Sequence, residues 1–331
     1  MNKFIIHAAK TILLFMFGAA FIISCKEKKE TTVKDNTILP NSVSFIDFGD
    51  WGSQDSGERI TAKAMDSFCQ GHDIAFFLAN GDNFYESGVQ SATEMQWYYT
   101  YEKVYNTPAF QKDWYVALGN HDYKGNSQAE VDYTKRSSRW KMPSRYYTFT
   151  KKISDKTSIR FVIIDTSPFQ EVYRENAKAY DNIDQQDTAK QIKWIDSVLA
   201  NSKEKWKFVM GHHPLYASDT ASHNNSMELR RQLQPLLEKY KVQAYFAGHK
   251  HAMEYLKLDN NDVDYFISGA AGAALDGAKK KKEKIDDMPY TKFKEYPPRH
   301  GFAVVSVNDD SMKFSFINDK DTVIYQRSRK P

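Results

Sequence analysis

Five apolar runs in this chain, each reading as a β-strand, lead to a glycine followed at once by Asp, Asn or His: Gly49-Asp50, Gly81-Asp82, Gly119-Asn120, Gly211-His212 and Gly248-His249. Strand ends that open into loops are where α/β proteins place their chemistry, since the scaffold fixes the loop and leaves its side chains free to meet a ligand. The densest of the five is Gly81-Asp82-Asn83-Phe84-Tyr85. Asp82 offers two carboxylate oxygens, enough to join two cations, and Tyr85 adds a phenol that a hard trivalent metal would hold as phenolate.

Taken in order, Val43 to Phe48 predicts the first strand, with Asp50 at its end. Asp47 also stands in an Asp-x-Gly frame but lies within the strand, so Asp50 is preferred. Glu58 to Phe68 has helical composition, Ile74 to Ala79 predicts the second strand, and Ala92 to Val104 a polar and aromatic helix. Trp114 to Leu118 is the third strand and delivers Gly119-Asn120-His121-Asp122. The segment from there to Pro143, rich in Lys, Arg and Ser, reads as an excursion at the rim of a site more than as core.

Tyr146 to Phe149 and Ile159 to Ile164 read as strands, and Pro168 to Asp187 as a polar surface connection. Ile192, Ile195 and Leu199 recur at helical spacing, which predicts an amphipathic helix over Thr188 to Ala200. Phe208 to Met210 and Ala244 to Ala247 are the strands that deliver the histidine motifs; between them Leu229 to Tyr240 marks a helix face that Pro235 should kink. From Met253 the chain alternates in short strands, 253–258, 263–268, 302–307, 312–317 and 322–325, so its last third reads as mainly β.

The first 24 residues differ from the rest: Lys3 and Lys10 flank an apolar stretch, Ile12 to Ile23, too short to span a membrane, which has the layout of a signal peptide. Ser24-Cys25 after aliphatic residues resembles the lipobox of bacterial lipoproteins, where the cysteine is lipidated and becomes the mature N-terminus. The expected organisation is a lipoprotein signal peptide over 1–24, a lipidated tether over 25–41 and one large domain over 42–331, anchored in the bacterial cell envelope on its periplasmic or cell-surface side. With Cys25 acylated, Cys69 has no intramolecular disulfide partner.

Without the leader the charge falls from +4 to +2, which gives nucleic-acid binding no support. The one basic run, Lys279 to Lys284, reads as a solvated loop.

His121, His212, His213, His249 and His251 all directly follow strand-plus-glycine signals, and together with Asp50, Asp82 and Asn120 they point to a metal site.

These segments resemble the calcineurin-like metallophosphoesterases, and within them the purple acid phosphatases of the small tartrate-resistant type. The carrying residues are Asp50-Trp51-Gly52, Gly81-Asp82-Asn83-Phe84-Tyr85, Gly119-Asn120-His121-Asp122, Val209-Met210-Gly211-His212 and Gly248-His249-Lys250-His251, in family order. Arg139 to Pro143, Leu233 to Leu237 and Ser268-Gly269-Ala270 add to the likeness, which covers about Val43 to Gln326.

The resemblance implies a two-sheet α/β sandwich flanked by helices, a four-layer α/β/β/α fold with the ligands on loops at one edge. It implies that Asp50, Asp82, Tyr85 and His251 bind Fe(III), and that Asp82, Asn120, His212 and His249 bind a divalent partner, Fe, Zn or Mn, with Asp82 bridging. Carboxylate and phenolate are hard donors suited to a trivalent ion, whereas imidazoles and an amide oxygen suit the divalent one. Two metals about 4 Å apart hold a phosphate ester and turn a water into the attacking hydroxide. His121 is then the first candidate to contact phosphate or protonate the leaving group, oriented by Asp122; His223 is the second, by resemblance to a substrate-site histidine. His213 and His300 are left as structural.

The expected activity is hydrolysis of small phosphomonoesters, acid phosphatase type, with a nucleotidase or phosphodiesterase as the alternative on the same site. A catalytically silent surface lipoprotein that binds partners is the rival of another class, and the complete ligand set argues against it.

Overall fold

The computed structural model describes residues 36–219, 226–276, 290–295 and 298–331. The expected leader, the expected lipidation site at Cys25, His223 and the basic run 279–284 lie outside the described residues. In chain order the strands are β1 (Val43–Phe48), β2 (Phe76–Ala79), β3 (Asp113–Val116), β4 (Trp140–Lys141), β5 (Tyr147–Lys152), β6 (Ser158–Ile163) and β7 (Trp206–Met210). They continue with β8 (Ala244–Ala247), β9 (Met253–Lys257), β10 (Asp264–Ser268), β11 (Tyr290–Lys294), β12 (Gly301–Val307), β13 (Met312–Asn318) and β14 (Val323–Arg329).

Two seven-stranded sheets result, ordered β14-β13-β12-β1-β2-β3-β4 and β11-β9-β10-β8-β7-β6-β5. β1, β2 and β3 run parallel in the first, and β6, β7, β8 and β10 run parallel in the second. The sheets face each other through an aromatic layer: Phe45 of β1 meets Phe161 edge-on at 5.4 Å and Phe246 at 6.0 Å. Side chains on a strand alternate, so Phe45 and Asp47 turn to this layer while Ile46 and Phe48 turn outward.

Outward of the second sheet, α2 (Thr188–Asn201) and α3 (Met227–Lys239) bury Ile195, Leu199, Leu229, Leu233 and Leu237 against Val209 and Tyr245. α3 runs as one helix through Pro235, where a kink is expected from sequence. Outward of the first sheet lies α1 (Ser56–Gly71), whose N-cap Asp55 accepts hydrogen bonds from the amides of Gly57 and Glu58 and so satisfies two otherwise orphaned donors. Helices on both outer faces complete the four layers expected.

The segment before Pro143 departs from its expected place at the rim. Trp140 and Met142 are fully buried, and β4 adds an edge strand beside β3. Trp97 stacks on Tyr133 at 3.5 Å and meets Trp140 edge-on at 4.9 Å, so this stretch is core. Its polarity misleads because Arg139 is itself buried, donating to the carbonyl of Tyr105 at 2.7 Å and pairing with Glu102. The helix expected over 92–104 is present in part, as a wide π-helical turn over Trp97–Glu102.

Candidate metal centre

β1, β2 and β3 of one sheet and β7 and β8 of the other end at the same edge, and the loops that follow them are stitched together by backbone bonds. Asp50 N donates to the carbonyl of Gly81 (3.0 Å), Gly248 N to that of His212 (2.9 Å), and Gly49 N to that of Ser268 (2.9 Å). Space is short where they meet. A Cβ on Gly119 would stand 2.2 Å from Asp82 Oδ1, and one on Gly248 would stand 2.5 Å from Asp50 Oδ2, so only glycine allows these backbones so close to the carboxylates.

The Gly81-to-Tyr85 loop is held from behind. Asn83 accepts a hydrogen bond from Trp51 Nε1 (3.0 Å) and donates to the Ala117 carbonyl (2.9 Å), Asp122 (3.1 Å) and Glu130 (2.9 Å). Phe84 is buried against Trp97 at 4.7 Å. This leaves Asp82 and Tyr85 facing the common edge.

The expected ligands gather in two groups that share one carboxylate. In the first, the Tyr85 hydroxyl lies 3.2 Å from Asp50 Oδ1, 2.9 Å from Asp82 Oδ2 and 3.2 Å from His251 Nε2. In the second, Asn120 Oδ1 lies 3.1 Å from His212 Nε2 and 2.9 Å from His249 Nδ1, and His212 Nε2 lies 3.4 Å from Asp82 Oδ2. Edges of about 3 Å are what oxygen and nitrogen donors make around an ion held at about 2.1 Å.

The donor set fits two cations. His212 Nδ1 lies 2.8 Å from the Asn80 carbonyl and His251 Nδ1 lies 2.7 Å from that of Ala274, so in each ring a carbonyl fixes the proton on one nitrogen and the other faces the centre. Asp50, Asp82 and His249 all sit in the left-handed backbone region, at φ 57°, 50° and 67°, an unfavourable conformation for non-glycine residues that collects where function demands it.

The charges of the metal-free cluster show what a cation would replace. Burial alone would raise Asp82, but the His212 imidazole and the His121 amide hold its carboxyl below the ordinary carboxylate range. Burial, then Asp50 and Asp82, push the Tyr85 phenol well above its usual value. Burial pulls His212 down, yet Asp82 more than offsets this and the imidazole rises to about 9. His251, likewise opposed by burial, rises to about 9 beside Asp50. His249 instead falls to about 4 through burial and the neighbouring His212. Protons on Tyr85, His212 and His251 thus stand where a bound ion would invert the local order of acidity.

His121 stands at the edge of the centre, its ring 4.3 Å from that of Tyr85, with Nδ1 2.8 Å from the Glu86 carbonyl and Lys124 Nζ 3.4 Å from the ring nitrogens. Asp122 does not orient this imidazole, as the sequence led us to expect. Its buried carboxylate accepts from the amides of Asn83 (2.8 Å), Phe84 (3.2 Å) and Gly119 (2.7 Å), so it builds the two ligand loops instead. The reason is direction: the side chain of Asp122 points inward beneath a 3-10 turn while that of His121 points outward.

His213 is close to the centre but its ring nitrogens are taken, Nδ1 by Thr166 (2.9 Å) and Nε2 by Tyr173 (3.2 Å), and its ring braces that of His249 at 4.3 Å. Asp47 is buried inside β1, and His300 meets the Ala270 carbonyl at 3.1 Å. Sequence reading missed Tyr173 and Tyr180, which it left in a polar surface connection. Short helical turns bring their rings together at 4.7 Å, and Asp82 raises both phenols through its charge after burial. Two tyrosines within one polar loop are the only signal that marks them.

A model of the calcineurin-like phosphoesterase family matches residues 45–253, which contain all the ligand loops. The chain is 32% identical to human tartrate-resistant acid phosphatase type 5 over 297 residues, covering 83% of this chain and 87% of that protein. It is 28% identical to purple acid phosphatase 17 of Arabidopsis thaliana, covering 82% of this chain and 80% of that one. Among solved structures, purple acid phosphatase PPD1 from yellow lupin superposes with a TM-score of 0.64 at 18% identity over 88% of this chain and 55% of its own. GAP50, described as the anchor in the inner membrane complex of Plasmodium, superposes at 0.73 with 24% identity over 87% of this chain and 89% of its own. Ligand geometry, fold and relatives agree: the chain belongs to the calcineurin-like phosphoesterase family, as a metal-dependent phosphoesterase of the purple acid phosphatase kind.

Proposed function

We propose that this protein hydrolyses small phosphomonoesters as an acid phosphatase, with Fe(III) in the group of Asp50, Asp82, Tyr85 and His251 and a divalent Fe, Zn or Mn in the group of Asp82, Asn120, His212 and His249. The observation that carries the reading is the sharing of Asp82 Oδ2 between an oxygen-rich donor group and a histidine and amide group. When bound, the two ions supply Lewis acidity toward the phosphoryl oxygens and acidify water, the trivalent ion more strongly, which favours activity at acidic pH.

The chain's own residues do the rest. His121 Nδ1 donates to the Glu86 carbonyl, so Nε2 is the nitrogen that meets phosphate or the leaving oxygen, and Lys124 adds a positive charge beside it. His223 is the second substrate group in this reading, and His223→Ala should lower turnover with both metals retained; loss of an ion would remove it from that role.

We place the enzyme outside the cytoplasm, held to the bacterial envelope through lipid on Cys25, in a role such as phosphate scavenging. Cys25→Ser should abolish incorporation of labelled fatty acid, and continued labelling would reject the anchor. The activity itself is tested by stripping the protein of metal, restoring iron with zinc or manganese, and comparing a monoester with the matching diester across pH. Monoester turnover that needs both ions and peaks at acidic pH is expected. Preferred turnover of the diester moves the assignment to a phosphodiesterase on the same site.

A further inference from the structure

Lys250 lies between the two histidines that serve different donor groups, and its side chain leaves the centre. Its ammonium is 2.9 Å from Glu254 Oε1 and 3.1 Å from Ser218 Oγ, and it also pairs with Asp219. Lys250 is only 4% exposed and Glu254 is fully buried. Lys294 of β11 completes the cluster, 3.2 Å from Glu254 and 2.9 Å from Ser218. Glu254 in turn accepts from Ser218 through both the amide (3.0 Å) and the hydroxyl (2.6 Å). The cluster therefore ties the turn at 249–251 to β9, to β11 and to the segment that leaves His212.

The turn is bonded on the side of the centre, where His249 N donates to Asp50 Oδ2 at 2.8 Å and Asp276 N to the His251 carbonyl at 3.1 Å, and Lys250 anchors its other side. Lys250 N bonds the Gly248 carbonyl at 2.8 Å and Ala252 N the Lys250 carbonyl at 2.7 Å, two successive three-residue turns with His249 in the left-handed region. His249 and His251 leave this turn on the side of the metal centre, and Lys250 leaves on the other. Stability alone does not account for a buried ion pair, because replacing one by apolar groups of similar volume is often neutral or stabilising.

We propose that Lys250 is a positioning residue of the metal centre: its ammonium, clamped between Glu254, Ser218 and Asp219, fixes the turn that aims His249 at one donor group and His251 at the other. The inference rests on the two-ion reading of the site. The clamp has a further consequence, since the same ammonium fixes the segment from His212 to Asp219, so a third ligand depends on it.

The test separates positioning from stability by removing the charge and its counter-charge together. The double variant Lys250→Met, Glu254→Leu leaves Asp219 and Lys294, which are 39% and 42% exposed at their side chains, to be solvated. Its metal-free melting temperature should equal or exceed that of the wild type, while its affinity for Zn(II), measured by competition with a chromophoric chelator, should fall about 10- to 100-fold, the usual scale for losing an outer-shell partner. Lys250→Arg, which keeps the charge, should recover most of that affinity. A folded double variant that binds zinc as tightly as the wild type overturns the proposal. Should the double variant not fold, Lys250→Met alone decides on the same readout, because Lys294 still compensates Glu254. A wild type that binds no zinc would instead sink the two-ion reading, and this inference with it.

Discussion

The Tyr85 hydroxyl donates to Asp82 Oδ2 across 2.9 Å, which places a proton at the point where the oxygen-rich donor group converges. Burial and two carboxylates keep that phenol protonated in the metal-free cluster. A trivalent ion reverses the balance, because its charge favours phenolate more than the carboxylates disfavour it. Loading with Fe(III) should therefore produce a phenolate-to-iron absorption band in the visible and a purple or pink protein. Tyr85→Phe removes the oxygen and keeps the ring against His121, so the band should vanish with the fold intact. An unchanged band in that variant would show that Tyr85 is not a ligand.

Asp82 and His251 should differ in how many ions they cost. Asp82 Oδ2 belongs to both donor groups, so Asp82→Asn, which leaves one neutral oxygen in place of two anionic ones, should lower binding of both ions together. His251 touches only the first group, so His251→Asn should lose the ion held with Tyr85 and keep the other. Metal analysis after dialysis reads the difference. Retention of either ion at wild-type affinity in Asp82→Asn would show that the carboxylate does not bridge.

What the sequence could show follows from what is local. Strand ends, glycines and donors are adjacent along the chain, so each loop announces itself, and Asp50 could be preferred over Asp47 because one ends a strand and the other lies inside it. Which way a side chain turns is not local. Asp122 and His121 are neighbours in sequence, yet one is consumed by the amides of Asn83, Phe84 and Gly119 and the other by the Glu86 carbonyl, partners that only the folded chain supplies. The buried stretch around Trp140 was misread for a related reason: Arg139 is as polar as a rim residue, and only its bonds to Tyr105 and Glu102 make it part of the core.

Asp47 should make the protein more stable in acid than at neutral pH. Burial pushes the group up from 3.8 to about 7, with Ser268 and Asn80 offsetting only part. Below the unfolded value both states carry the proton and the folded state keeps its full stability. As pH rises toward the folded value the unfolded chain gives up its proton first, so stability falls by about 1.4 kcal/mol per pH unit while the two differ. Asp47→Asn removes this dependence. Denaturant titrations of the metal-free protein should show a shallower slope between the two pKa values and greater stability at neutral pH; an unchanged slope would mean the carboxylate is not held neutral.

Asn83 should be the most costly position in the ligand loops that is not itself a ligand. Its amide satisfies Trp51 Nε1 and the Ala117 carbonyl and stands between Asp122 and Glu130, all of them buried. Asn83→Ala strands at least the indole N–H and the carbonyl, at about 1–3 kcal/mol for each buried group left unmade, and frees the loop that presents Asp82 and Tyr85. Asn83→Asp keeps the shape and the acceptor for Trp51 but replaces the donor with a third carboxyl facing two others. Burial and Asp122 already push Glu130 well above the ordinary carboxylate range, so another acid there has to be protonated to fold. A group with a raised folded pKa favours the folded state at low pH, so Asn83→Asp should be less stable than Asn83→Ala at neutral pH and recover as the pH falls, when its carboxylic acid can donate as the amide did. Chemical denaturation of the two metal-free variants at neutral and acidic pH reads this crossing directly, and an Asn83→Asp variant as stable as the wild type at neutral pH would show that the donor side of Asn83 is not what holds the loop.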